Sequence, residues 1–156
     1  MLIEVKIGAL IMDPNTNTPI VVLKGVESET ILPIWVGAYE ANAIALEIEK
    51  IVPQRPMTHD LLRNFIVQTG LKILRVTITD LRDNTFYALI DLNDDKGNLI
   101  SIDARPSDAI ALALRFDCSI YIKENVLENS ISSNQNNIDT EGELNELSED
   151  WPDLIG

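Results

Sequence analysis

The sequence predicts an α+β domain whose mixed β-sheet is built from two β-β-β-α repeats, with an additional helix between them. Segments rich in β-branched and aliphatic residues alternate with turn-forming stretches, and two segments rich in Ala, Ile and Leu have helical spacing. The segment Ala43–Leu46 (AIAL) recurs as Ala109–Leu112, and 109 minus 43 gives an offset of 66 residues. At that offset the predicted strands also coincide, which favours an internal duplication. Taken by itself, the four-residue match would also be explained by chance similarity between two Ala-rich helices.

Three strands and one helix are predicted in the first repeat. Asp13–Asn17 (DPNTN) has the composition of a turn between the first two strands. Apolar residues at helical spacing predict a helix over Ala38–Lys50. The predicted strands are Leu2–Met12, Pro19–Lys24 and Thr30–Val36.

The additional helix is predicted after the loop Val52–Pro56, because two prolines interrupt regular structure there. Thr58 is the predicted N-cap of this helix, since its hydroxyl can accept a hydrogen bond from a free backbone N–H. Gly70 is the predicted end of the helix.

The second repeat is predicted to contain three strands, a helix and a closing strand. Asp80–Thr85 forms a hairpin tip whose polar residues are ordinary turn chemistry. Ser107, behind Pro106, is the predicted N-cap of a helix over Asp108–Arg115. The predicted strands are Leu71–Leu81, Thr85–Leu92, Leu99–Asp103 and Ser119–Lys123.

The formal charge of -13 is concentrated at the C-terminal end. Residues 124–156 contain nine acidic residues and no Lys or Arg, whereas residues 1–123 contain 16 acidic and 12 basic residues, a net charge of -4. We therefore predict a folded domain over residues 1–127 and an acidic tail over residues 128–156, with the composition of a disordered segment. Because residues 1–123 have no excess of basic residues, the composition argues against strong, nonspecific binding of nucleic acid through its phosphates.

A cytoplasmic location is expected. Cys118 is the one cysteine, so an internal disulfide cannot form. The first residues lack the pattern of a secretory signal, and no run of about 20 apolar residues is present to cross a bilayer.

The junction between the last strand of the second repeat and its helix is the first candidate site. The sequence has no phosphate-binding glycine loop, nucleophile elbow or Cys/His zinc spacing. Asp103 and Asp108 could hold a divalent metal through oxygen, while Arg105 and Ser107 are candidates for binding phosphate. Alternatively, Ser107 caps the helix, Asp108 complements its dipole, and Asp103 pairs with Arg105.

The second candidate surrounds His59, which is the one histidine and so must carry any histidine acid–base step. Asp60 follows it, and Arg55, held between prolines, is a candidate for binding phosphate. Glu40, near the start of the first helix, could complete a metal site with Asp103 and Asp108. Each group also has a structural interpretation as part of a helix start.

Five collinear blocks closely resemble the bifunctional nuclease domain, a family also catalogued as a conserved bacterial domain of unknown function. The resemblance covers roughly residues 1–127 and implies an α+β fold, hydrolysis of both DNA and RNA, and homo-oligomers, of which a dimer is expected. It carries no established set of catalytic residues. The matching blocks are Leu32–Gly37, Glu40–Leu46, Arg55–Leu62, Asp80–Ala88 and Ile102–Arg115.

Two functions are expected from residues and resemblance together. The first is a metal-assisted phosphodiesterase using Mg²⁺ or Mn²⁺, with DNA or RNA as the partner. Its candidate catalytic residues are His59, Asp60, Asp103, Asp108 and Glu40. The alternative is a non-catalytic, regulatory module that binds a ligand or protein, because the body is acidic and no strong catalytic motif is present.

Overall fold

The computed structural model describes residues 1–134, and the part of the predicted acidic tail beyond residue 134 lies outside the described residues. Within this range, no helix combines the length and the apolar character needed to span a membrane. The strands are β1 (Leu2–Met12), β2 (Pro19–Gly25), β3 (Ile31–Trp35), β4 (Lys72–Arg82), β5 (Thr85–Asn93), β6 (Leu99–Ala104) and β7 (Ser119–Lys123). The helices are α1 (Ala38–Ile48), α2 (Thr58–Gln68), α3 (Pro106–Phe116) and α4 (Glu124–Asn134).

Over residues 1–134 the strands form one seven-stranded mixed sheet in the order β3-β2-β1-β7-β4-β5-β6. β7 pairs parallel with β4 and antiparallel with β1, and the remaining pairs are antiparallel. The predicted α+β class with a mixed sheet is therefore confirmed. The closing strand, β7, lies in the centre of the sheet and joins the two antiparallel halves.

Each half of the sheet contains three consecutive strands followed by a helix. α1 follows β3, α3 follows β6, and these two helices pack against each other. The repeated segments Ala43–Leu46 and Ala109–Leu112 are buried throughout. Alanines at a helix contact let the two axes approach closely, because the separation depends on the side chains between them. The order of elements agrees with the predicted repeats, and an origin by duplication stays a prediction.

The hydrophobic core lies between the sheet and the packed pair α1 and α3. Three strand residues are completely buried beneath the helices: Val76 and Ile78 of β4 and Ile122 of β7. On the helices, Ile44 of α1 and Ile110 of α3 are also completely buried. α4 packs against β4 and β7, and buries Val126. The predicted domain boundary after residue 127 falls inside α4, so residues 128–134 continue a helix.

The predicted helix starts are wrong by one or two residues. α2 begins at Thr58, with Met57 at the N-cap, and the Met57 N–H donates to Asp60 Oδ2 at 3.0 Å. α3 begins at Pro106, with Arg105 at the N-cap, so Ser107 lies inside the first turn. Proline is favoured at the first helical position because its missing N–H would have no partner there.

The hairpin between β4 and β5 has the predicted turn. Asp83 and Asn84 have φ of 50° and 60°, the left-handed conformation that a type I′ turn requires at both central positions. Near this tip Asp80 pairs with Arg82 at 2.8 Å, and the Arg82 guanidinium lies 4.3 Å from the centre of the Tyr87 ring. These contacts support the structural interpretation of this polar cluster.

Replacing Asp117 by glycine is expected to stabilise the protein by about 1 kcal/mol. Asp117 ends α3 with φ of 53°, a conformation that costs an L-residue energy, and its charge is unfavourable at a helix C-terminus. Urea denaturation would measure the difference in free energy of unfolding. The matched control is Asp95→Gly, in an exposed turn where φ is not positive. Equal effects of the two substitutions would contradict the explanation.

Candidate functional site

A cavity of about 670 Å³ lies between the three helices α1, α2 and α3 and the sheet strands β5 and β6. Its wall is largely apolar, and polar side chains from α1, α2 and the β6–α3 junction form its mouth. The volume is within the range of small-molecule sites in proteins. The apolar residues of the wall include Ala43, Leu46, Leu62, Ile66, Leu71, Ile90, Leu92, Ile102 and Leu112.

Four predicted site residues form a continuous chain of polar contacts at this mouth. His59 Nε2 lies 2.8 Å from Asp108 Oδ1. Arg105 Nε donates to Asp108 Oδ2 at 2.9 Å, and its terminal amino group donates to Glu40 Oε1 at 2.6 Å. The chain therefore joins the starts of three helices at one cavity: α1 and α3, which each follow a strand, and α2, which follows the loop after α1.

Arg105 carries the positive charge of this chain. The hydrogen bonds that Arg105 donates to Glu40 and, with a smaller effect, to Asp108 raise the pKa of the Arg105 guanidinium above its usual value. Its side chain is 65% exposed, whereas those of Glu40 and Asp108 are 16% and 27% exposed. Arg105 thus presents a fixed cation to solvent at the mouth of the cavity.

A second polar contact lies behind the first. Arg115, whose side chain is 2% exposed, donates to Asp60 Oδ1 at 2.8 Å and to the Ala111 carbonyl at 2.9 Å. Burial tends to raise the pKa of Asp60, but hydrogen bonds from the Met57 N–H and Arg115 outweigh it and lower that pKa. Both carboxylate oxygens of Asp60 are bonded within the protein, and Asp60 does not line the cavity.

The other predicted residues are placed differently. Asp103 lines the cavity but makes no side-chain hydrogen bond or ion pair with residues 1–134, so the pairing considered with Arg105 does not form. Ser107 is buried in α3, and Arg55 is exposed in the loop before α2. Neither Ser107 nor Arg55 lines the cavity.

The carboxylates predicted to bind a metal do not fit that role in this arrangement. Asp108 has one oxygen bonded to His59 and the other to Arg105, while Glu40 shares the same guanidinium. In the part of the chain that the structure describes, no group of three or more His, Cys, Asp or Glu residues has the spacing of a metal site. The Arg105 cation lies between the two carboxylates instead.

Asn42 and Arg115 are site residues that sequence reasoning missed. Asn42 lines the cavity, and its Oδ1 is buried without a hydrogen-bond partner among residues 1–134. An unpartnered buried polar atom costs about 1–3 kcal/mol. Two features of the sequence could have identified them. Asn42 is the one residue with an amide side chain in the Ala-rich helix α1, and Arg115 is the one basic residue in α3.

Comparison with known proteins gives a consistent family relationship. The sequence model of the bifunctional nuclease domain matches residues 21–135. Uncharacterized proteins from two strains of Mycobacterium tuberculosis are each 43% identical over 124 residues, covering 80% of this chain and 73% of theirs. A protein of Arabidopsis thaliana named Bifunctional nuclease 2 is 27% identical over 97 residues, covering 61% of this chain and 29% of its own length.

Replacing Asp60 by asparagine is expected to destabilise the protein by about 2–3 kcal/mol. The substitution leaves the Arg115 guanidinium buried without its close carboxylate, since Glu47 is 3.8 Å away. The lowered pKa of Asp60 means that its contribution is complete above about pH 4 and is lost as the pH falls through the folded-state value. Stability of the variant should therefore fall less steeply below pH 4.

Urea denaturation at several pH values measures both effects. Asp103→Asn is the control, because that exposed carboxylate has no ion pair among the described residues and its loss should change stability by less than about 0.5 kcal/mol. An Asp60→Asn variant with the stability of this control would show that the contact with Arg115 contributes nothing.

Proposed function

Because this chain belongs to the bifunctional nuclease domain family, we propose that it hydrolyses phosphodiester bonds of both DNA and RNA. The name of the Arabidopsis relative supports a nuclease-related function. Hydrolysis needs a group that removes a proton from water and a positive charge near the phosphate. The observation that carries the proposal is the His59–Asp108 contact of 2.8 Å at the mouth of the cavity, beside Arg105.

His59 is the proposed general base. When its Nε2–H donates to the Asp108 carboxylate, the neutral ring is held in one tautomer and Nδ1 is left unprotonated. Nδ1 makes no hydrogen bond with residues 1–134, and His59 lines the cavity. Asp108 is a positioning residue in this scheme, because it acts by orienting the imidazole.

Arg105 is the proposed phosphate ligand. In the reaction, His59 takes a proton from water, and the water oxygen bonds to phosphorus. The bond to the leaving oxygen breaks, and that oxygen keeps the electron pair and takes a proton from solvent. The guanidinium would offset the negative charge that develops on the phosphate oxygens. Its exposure of 65% is compatible with contact to a polymer at the surface.

The requirement for Mg²⁺ or Mn²⁺ stays a prediction. The proposed scheme uses no step through a metal, because Glu40 and Asp108 are bonded to Arg105. A metal-dependent activity would require these carboxylates to leave Arg105 first. The cytoplasmic location also stays a prediction.

A second candidate, a non-catalytic binding module, is favoured by one specific observation. The polar chain and the Asp60–Arg115 contact both tie α2 to α3, so the same residues have a sufficient structural role. The predicted homo-oligomer is compatible with either function. It is supported by exposed apolar residues on α2, of which Leu61 is 51% and Phe65 is 61% exposed.

Substitution of His59 by alanine should reduce hydrolysis of single-stranded RNA and DNA by about a hundred- to ten-thousand-fold, the range typical of general acid–base catalysis. Asp108→Asn should lower kcat by a smaller factor, because it disturbs the orientation of His59 and not the base itself. Turnover would be measured with purified protein in Mg²⁺, in Mn²⁺ and in EDTA.

Asp83→Asn, at the exposed hairpin tip, is the matched control and should keep full activity. Activity that is equal in wild type and His59→Ala would exclude this residue assignment and indicate a contaminating nuclease. Folded wild-type protein without activity under all three conditions would favour the binding module.

A further inference from the structure

Tyr39 presents its ring to solvent at the mouth of the cavity. It is 90% exposed, the highest value for any aromatic residue in the described part of the chain. It lies in the first turn of α1 and lines the cavity beside Glu40, which accepts a hydrogen bond from Arg105. Its side chain makes no hydrogen bond or cation–π contact within the described residues, whereas the exposed Trp35 donates to Asp13. The fold therefore gains little from an aromatic side chain at position 39.

Three further apolar side chains are exposed at the same mouth. Met57 and Leu62, at the start of α2, and Ile102 of β6 line the cavity and are open to solvent. Contiguous exposed apolar surface beside a cavity is typical of a binding site, whereas single exposed apolar residues are ordinary. The mouth thus combines the exposed Arg105 guanidinium with apolar surface from α1, α2 and β6.

The charges at the mouth cannot supply tight binding of a polyanion. Arg105 is the one exposed cation among the described residues that line the cavity. The carboxylates of Glu40, Asp103 and Asp108 line the same mouth. A strand bound here would release the counterions of about one phosphate, whereas proteins that bind through phosphates contact roughly six to ten. Most of the affinity for a nucleic acid must therefore come from its bases, which have flat aromatic faces.

We propose that Tyr39 stacks on a nucleobase of single-stranded DNA or RNA while an adjoining phosphate lies at Arg105. This inference deepens the proposed nuclease function and rests on it for the class of ligand. Every base has an aromatic face, so stacking on Tyr39 would accept any base and either sugar, as hydrolysis of both DNA and RNA requires. Bases inside a duplex are already stacked and paired, so unpaired segments are the form that reaches the ring.

The test is binding of a short, fluorescein-labelled single-stranded DNA, measured by fluorescence anisotropy in the His59→Ala background, which keeps the strand intact. Tyr39→Leu keeps an apolar side chain but has no aromatic face, and should weaken binding by about 5- to 150-fold. Tyr39→Phe should bind as His59→Ala alone does, because the hydroxyl has no partner within the described residues. Phe65→Leu is the matched control, since Phe65 is exposed but does not line the cavity, and it should also retain binding.

Salt dependence separates stacking from binding through phosphates. With Arg105 as the one phosphate contact, log affinity plotted against log salt concentration should have a slope of about -0.7. A slope steeper than about -3 would show that several phosphates are neutralised, and would overturn the inference. Equal binding with and without Tyr39→Leu would overturn it too. If that variant instead lowers the molar mass measured by light scattering, Tyr39 belongs to an interface between copies of the chain.

Hydrolysis and stacking can fail separately. In the otherwise wild-type protein, Tyr39→Leu should raise KM for a single strand and change kcat by less than about twofold, because stacking holds substrate and transition state equally. Wild type that binds a strand through Tyr39 but hydrolyses neither DNA nor RNA would refute the proposed function and retain the stacking site. Nuclease activity with the same KM in wild type and Tyr39→Leu would do the reverse. If His59→Ala does not fold, the binding series is run in wild type and the strand length is checked afterwards by gel electrophoresis.

Discussion

The geometry of the cavity depends on how α2 is held against α3. Among the residues of α2, His59 is the one that is buried, with 8% of its surface exposed, and Ile66 is partly buried against the core. Two adjacent residues of α2 therefore make the defining contacts, His59 with Asp108 and Asp60 with Arg115. Asp108 and Arg115 are seven residues apart in α3, close to two helical turns, so they lie on one face. Polar contacts rather than apolar burial position this wall.

Because polar contacts hold α2 against α3, the position of α2 is sensitive to the loss of a charged partner. A buried ion pair adds little net stability compared with apolar packing, but removal of one partner is costly because the other stays buried. The contact of Arg115 with Asp60 thus fixes the orientation of α2 more than it stabilises the fold. Its consequence for the site is geometric, since it sets where the neighbouring His59 meets Asp108.

Much of the fold could be predicted from the sequence, because strands and helices are local. Alternating apolar residues identify β4 and β5, and the Asp83–Asn84 turn links them. The central place of β7 could not be predicted, since its neighbours β1 and β4 are distant in the chain. The helix starts were misplaced because Met57 and Arg105 occupy N-cap positions without a capping side chain.

The candidate site shows the same division between local and distant information. The sequence indicated that Glu40, His59, Arg105 and Asp108 lie at helix starts, but not which carboxylate meets which cation. Asp103, the acid nearest to Arg105 in the chain, does not pair with it, whereas Glu40 does. Pairing depends on how α1 and α3 pack, which is a property of the whole core.

Asp108 uses different oxygens for its two contacts, and this separation matters for any function of the site. Oδ1 faces His59, whereas Oδ2 accepts from Arg105. An incoming anion that draws Arg105 away would therefore leave the His59–Asp108 contact intact. The liberated carboxylates of Glu40 and Asp108 would repel the same anion, which limits tight binding of phosphate. The apolar wall of the cavity behind them would then have to supply most of the binding free energy of any anionic ligand.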